Sequence, residues 1–126
     1  MSARFKDLVI DAADHHKLAD WWCAAMGYVR RDEHQPPADG WLRPLDWPVP
    51  IMDPDGAGPA IWIVPVPEGK STKNRLHLDV WGDVDELVGL GATVLRARDA
   101  EIDWDVLADP EGNEFCVFTP VLSQTA

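Results

Sequence analysis

Basic residues are scarce in this chain: 11 lysines and arginines face 22 aspartates and glutamates, a formal net charge of -11. That balance repels phosphate backbones and anionic headgroups, so it excludes nucleic acid and membrane surfaces and leaves neutral or cationic small molecules as partners. Cysteine is sparse too. Cys23 and Cys116 lie far apart with no paired metal-type spacing, which excludes a disulfide scaffold or a zinc finger and reads as two buried reduced thiols. No apolar run approaches the length that crosses a bilayer, and the opening MSARFKDLVIDAAD lacks the apolar stretch of a signal peptide. The expectation is a cytoplasmic protein.

What is present suits one compact domain over residues 1–126, since 46% apolar content and 7 tryptophans supply the bulk of a core. Residues 5–11 alternate as a strand. Asp14 then stands at a helix N-cap, Leu18, Trp21, Trp22 and Ala25 form one apolar stripe, and the helix ends near Gly27. Residues 28–32 read as a strand, and residues 41–45 as a short strand inside a proline-rich stretch over 35–59. Residues 60–66 are β-branched and apolar on both parities, as in a buried strand.

After a polar connector over 67–74 the order begins again. Residues 75–81 form a strand, Asp83 and Glu86 a capping box, and Gly91 a helix stop. Strands over 92–98, 102–107 and 113–118 follow, the last two joined by the turn Asp109-Pro110-Glu111-Gly112. Leu8-Val9-Ile10-Asp11 opens the first half as Leu76-His77-Leu78-Asp79 opens the second. The pattern is α+β, a βαβββ module twice (about 1–66 and 75–120), rather than a sheet that alternates strand and helix throughout.

Three segments, VIDAADHHKLADWWCAAMGY, KNRLHLDV and VLADPEGNEFCVF, together resemble the glyoxalase-like branch of the vicinal-oxygen-chelate superfamily. That superfamily includes glyoxalase I, extradiol dioxygenases, fosfomycin-modifying enzymes and bleomycin resistance proteins. The resemblance implies a cupped, barrel-like mixed sheet around one cavity. It also implies metal ligands on the first and last strands of each module. His77 and Glu114 match the family's histidine and glutamate, and Asp7 stands where relatives carry histidine or glutamine. The fourth ligand position falls near Trp62, where no histidine, carboxylate or amide occurs, so the full glyoxalase I set is absent.

Two function classes follow from the resemblance. In one, a divalent zinc, nickel, manganese or iron ion on His77, Glu114 and Asp7 acts on an oxygen-bearing substrate, with Asp11 or Asp79 as base, in lyase, isomerase or dioxygenase chemistry. In the other, a metal-free protein sequesters a drug-like, neutral or cationic molecule against Trp62, Trp81 and Trp104. His15, His16 and His34 lie where solvated histidines are common and receive no role. A sheet of this size leaves an open edge and an apolar flank, which the family covers with a second copy. Light scattering at micromolar concentration should therefore give twice the 14.0 kDa chain mass; a monomer mass would reject the homodimer.

Overall fold

A computed structural model describes residue 2 and residues 4–120. The chain divides into two compact units, Met1–Gly69 and Lys70–Ala126. The first holds β1 (Leu8–Ala12), α1 (His15–Met26), β2 (Val29–Arg30), α2 (Arg31–His34), β3 (Val49–Met52) and β4 (Ile61–Pro65). The second holds β5 (Leu78–Trp81), α3 (Val84–Leu90), β6 (Thr93–Arg96), β7 (Asp105–Ala108) and β8 (Glu114–Phe118). Both are βαβββ, with α2 an addition to the first. Their strands form two four-stranded mixed sheets, ordered β1-β4-β3-β2 and β5-β8-β7-β6, rather than one continuous barrel sheet.

In each unit the first strand pairs parallel with the last and the other pairings are antiparallel. A parallel pair needs a crossover, and the helix supplies it. Asp14 accepts from the Lys17 amide and Asp83 from the Glu86 amide, while Gly27 (φ 70°) and Gly91 (φ 119°) end their helices in the left-handed region. Strand parity does the rest. Leu18, Ala19, Trp21 and Trp22 of α1 are buried, as are Val49, Ile51, Ile61 and Ile63 of the two strands it packs on. The second core is built on Leu87, Leu107, Phe115 and Val117.

The proline-rich stretch departs from the sequence reading. Residues 41–45 are not a strand; β3 lies later, and β2 is cut to two residues because α2 takes over the remainder. The Trp47 amide bonds the Pro44 carbonyl at 3.1 Å, a turn that breaks any ladder there. A second repeat also emerges. Asp53-Pro54-Asp55-Gly56 folds as Asp109-Pro110-Glu111-Gly112 does, each first aspartate accepting from the amide two residues on at 2.9 Å. Each turn closes on a positive-φ glycine, Gly56 or Gly112, whose amide bonds the aspartate carbonyl.

Trp22 is 2% exposed and anchors the first core. Trp22→Ala should cost about 3–5 kcal/mol in urea unfolding; a loss under about 1 kcal/mol would mean the helix is not packed as described.

Candidate functional site

On the second sheet, Leu78 and Val80 pair in register with Phe115 and Val117. Val117 and Leu87 both border Gly82, so this is the face that carries α3. Alternation sends Asp79, Trp81, Glu114, Cys116 and Phe118 to the opposite face, Asp79 in register with Cys116 and Trp81 with Phe118. His77 precedes β5 by one residue and shares Asp79's parity. Its Nε2 lies 3.2 Å from an Asp79 carboxylate oxygen.

Burial pushes the Cys116 thiol above its ordinary range, and the Asp79 carboxylate pushes it further. Trp81, largely exposed, meets Phe118 edge-on at 6.1 Å, and Trp104, just before β7, lies 5.7 Å from the same ring. The three rings form an aromatic strip beside the polar cluster.

Glu114 is buried but committed: one carboxylate oxygen pairs with the Lys70 ammonium and the other accepts from the Asn74 amide at 2.9 Å. Burial raises its pKa, yet Lys70 and Asn74 outweigh it and hold the carboxyl below the usual glutamate range. His77, Asp79 and Cys116 bring donor atoms together on this face, whereas Glu114 shares the face with both oxygens engaged. As a donor set, imidazole, carboxylate and thiol suit a divalent ion.

In the first unit Asp7 and Trp62 come together. The indole N–H donates to an Asp7 oxygen at 3.1 Å, and Lys6 pairs with that oxygen at 2.7 Å. Its Lys6 bond, helped by Trp62, keeps the Asp7 carboxyl below the usual range against its desolvation. The Arg31 and Arg43 guanidiniums lie 5.0 and 5.5 Å from the Trp62 ring, and Arg43 also bonds Asp32 at 2.7 Å. A cationic ligand expected at Trp62 thus meets arginines already there. Asp11 is exposed on β1, opposite Val64 in register.

Superposing the two Asp-Pro turns and following each ladder matches Leu8 with Leu78 and Ile61 with Phe115. Asp7 is then the counterpart of His77, and Ala60, two residues before Trp62, the counterpart of Glu114.

His15 and His16, read as solvated, instead tether the proline loop. His15 Nε2 donates to the Leu45 and Trp47 carbonyls, both at 3.0 Å, and His16 Nε2 to Leu45 at 2.7 Å. Carbonyls only accept, so both rings carry the Nε2 proton, and His16 Nδ1 is free to accept from Arg30 at 3.2 Å. The histidine pair six residues before the Trp21-Trp22 stripe gave no sequence sign of this contact.

The chain matches the glyoxalase-like domain family over residues 7–118. It is similar in structure to a glyoxalase/bleomycin resistance protein/dioxygenase family enzyme from Burkholderia phytofirmans (TM-score 0.65, 16% identity, 94% of this chain and 100% of that one). It is also similar to the fosfomycin resistance protein FosX from Mesorhizobium loti (0.64, 14%, 99% and 98%). A mutant FosX from Listeria monocytogenes, complexed with manganese(II) and 1S,2S-dihydroxypropylphosphonic acid, scores 0.63 at 14% identity, covering 99% and 98%. No curated protein matches the chain in sequence.

Because the Glu114 carboxyl is held low, its contribution to stability is complete above the ordinary glutamate pKa and is lost as pH falls through the folded value. Lys70→Met removes a partner that lowers it, so the titration should move up and acid unfolding begin at higher pH. Carbon-detected NMR of the glutamate carboxyls reads this; an unmoved Glu114 would show that Lys70 does not pair with it.

Proposed function

The chain belongs to the glyoxalase-like domain family, and from that premise we propose that it is a divalent-metal-dependent enzyme acting on an oxygen-bearing small molecule. The carrying observation is the α3-free face of the second sheet, where His77 and Asp79 stand 3.2 Å apart over Cys116. His77 is the anchor. Its imidazole presents a nitrogen on a strand end, with Nε2 3.2 Å from an Asp79 carboxylate oxygen. The bound ion would act as a Lewis acid on a substrate oxygen.

The residues around it have separate tasks. Trp81, Phe118 and Trp104 give an apolar aromatic surface for the body of a substrate. Glu114 keeps the start of the second unit in place through Lys70 and Asn74.

A second reading, a metal-free binding protein of the drug-sequestering kind, draws support from Ala60 standing where a first-unit ligand would be and from the aromatic strip. In either case a homodimer is the assembly we propose, because edge strand β6 exposes all its residues, Val94 and Leu95 included.

Metal analysis of protein purified without added metal or chelator separates the two. The enzyme reading expects close to one divalent ion per chain, lost in His77→Ala. Metal-free protein that takes no ion on titration, yet quenches Trp fluorescence with an aromatic ligand, would replace it with the binding protein.

A further inference from the structure

Among the described residues, one group of metal-ligating side chains converges: His77, Asp79 and Cys116 offer donor atoms that all lie within 4.8 Å of one another. Two of them come from positions i and i+2 of one strand end, and the third is Asp79's register partner on the neighbouring strand. The sheet ladder, not a loop, sets their spacing.

The exposed contact between His77 and Asp79, 40% and 59% accessible, contributes little by itself. Asp79 is also hydrogen-bonded to the Cys116 thiol, so one carboxylate joins the imidazole and the sulfur in a single cluster. Phe115 and Val117, the neighbours of Cys116 in β8, fill the core on the other face, so the sulfur sits on the polar side of the sheet. Donors around a tetrahedral ion lie roughly 3.5 Å apart. Closing from 4.8 Å takes about an ångström, which the exposed His77 and Asp79 side chains supply by rotation while Cys116 stays fixed in its strand.

We propose that His77, Asp79 and Cys116 form a nitrogen, oxygen and sulfur metal site in which the Cys116 thiolate selects a borderline-soft ion such as zinc, with Glu114 left on Lys70 outside the coordination shell. On binding, the thiol proton leaves to solvent and the sulfur lone pair forms the new bond to the ion. Three protein ligands leave one position open, the arrangement of catalytic rather than structural zinc. The thiolate disfavours magnesium and manganese, which prefer oxygen donors. The inference rests on the reading above for the presence of an ion, and adds which atoms hold it.

Cobalt(II) titration of the whole chain tests this, because a cobalt–thiolate bond has an intense near-ultraviolet charge-transfer band that nitrogen and oxygen ligands do not produce. The band should appear in the native chain, in Cys23→Ser and in Glu114→Gln, and vanish in Cys116→Ser and in the surface variant His77→Ala. Zinc should bleach it; magnesium should not. Cobalt that binds with no thiolate band, and is released in Glu114→Gln, overturns this assignment and leaves the metal-dependent reading standing with Glu114 as ligand. A band that survives Cys116→Ser overturns it in favour of Cys23. A native chain that binds no cobalt at all overturns both.

Discussion

Parallel pairing of a unit's first strand with its last is the constraint on which the rest depends. Such a pair cannot be closed by a hairpin, so the chain must cross over one face of the sheet, and the helix between the first and second strands is that crossing. One face is then committed to apolar packing, with Ile61 and Ile63 in the first unit and Phe115 and Val117 in the second. Period-two alternation leaves the other face to residues the core does not need. The same pairing sets the last strand beside the first, which is how Cys116 comes to lie next to Asp79 although the two are far apart in sequence.

The two units use that freed face differently. In the second it carries imidazole, carboxylates and a thiol; in the first it carries Asp7, Trp62 and Asp11. Arg31 and Arg43 beside Trp62 contribute about 0.5–2 kcal/mol each by cation–π attraction, depending on desolvation. Arg43 is also 5.3 Å from Trp41, so these contacts pin the proline loop to the sheet. With Ala60 where Glu114 has its counterpart, the first unit uses this face to hold its long loop, whereas the second sets imidazole, carboxylate and thiol together on its own.

Both βαβββ orders, the Asp14 and Asp83 caps and the Gly27 and Gly91 stops were legible in the sequence because each rests on local chemistry: a side-chain oxygen for an amide, a glycine for a positive φ. His77 and Glu114 were read from the family pattern, and Asp79 from its strand parity with His77. The strand over 41–45 misled because a Trp-Leu pair in a proline-rich stretch mimics an edge strand, whereas the Pro44 carbonyl turns the chain. Cys116 went unassigned because its partner is a register neighbour, and register is not local. The repeated Asp-Pro-acid-Gly turn fixes the antiparallel β3–β4 and β7–β8 registers, but not the parallel β5–β8 register that places Cys116 beside Asp79.

Glu114 shows why a family pattern and a site need not coincide. A buried carboxylate without a cation is costly, and a metal or a lysine each relieves that cost. Here Lys70 does so, and the second oxygen holds the Asn74 amide, three residues before His77. The carboxylate therefore clamps the segment that leads into β5 against the start of β8, where Lys70 is also 19% exposed and so partly desolvated itself. His77 lies between this clamp and the β5–β8 ladder, its backbone held from both sides. Its imidazole sits outside the ladder and is accessible on one side, so the position of the ring depends on that fixity. Glu114 thus bears on His77 through the backbone that carries it, by holding the Asn74 amide and the Lys70 ammonium.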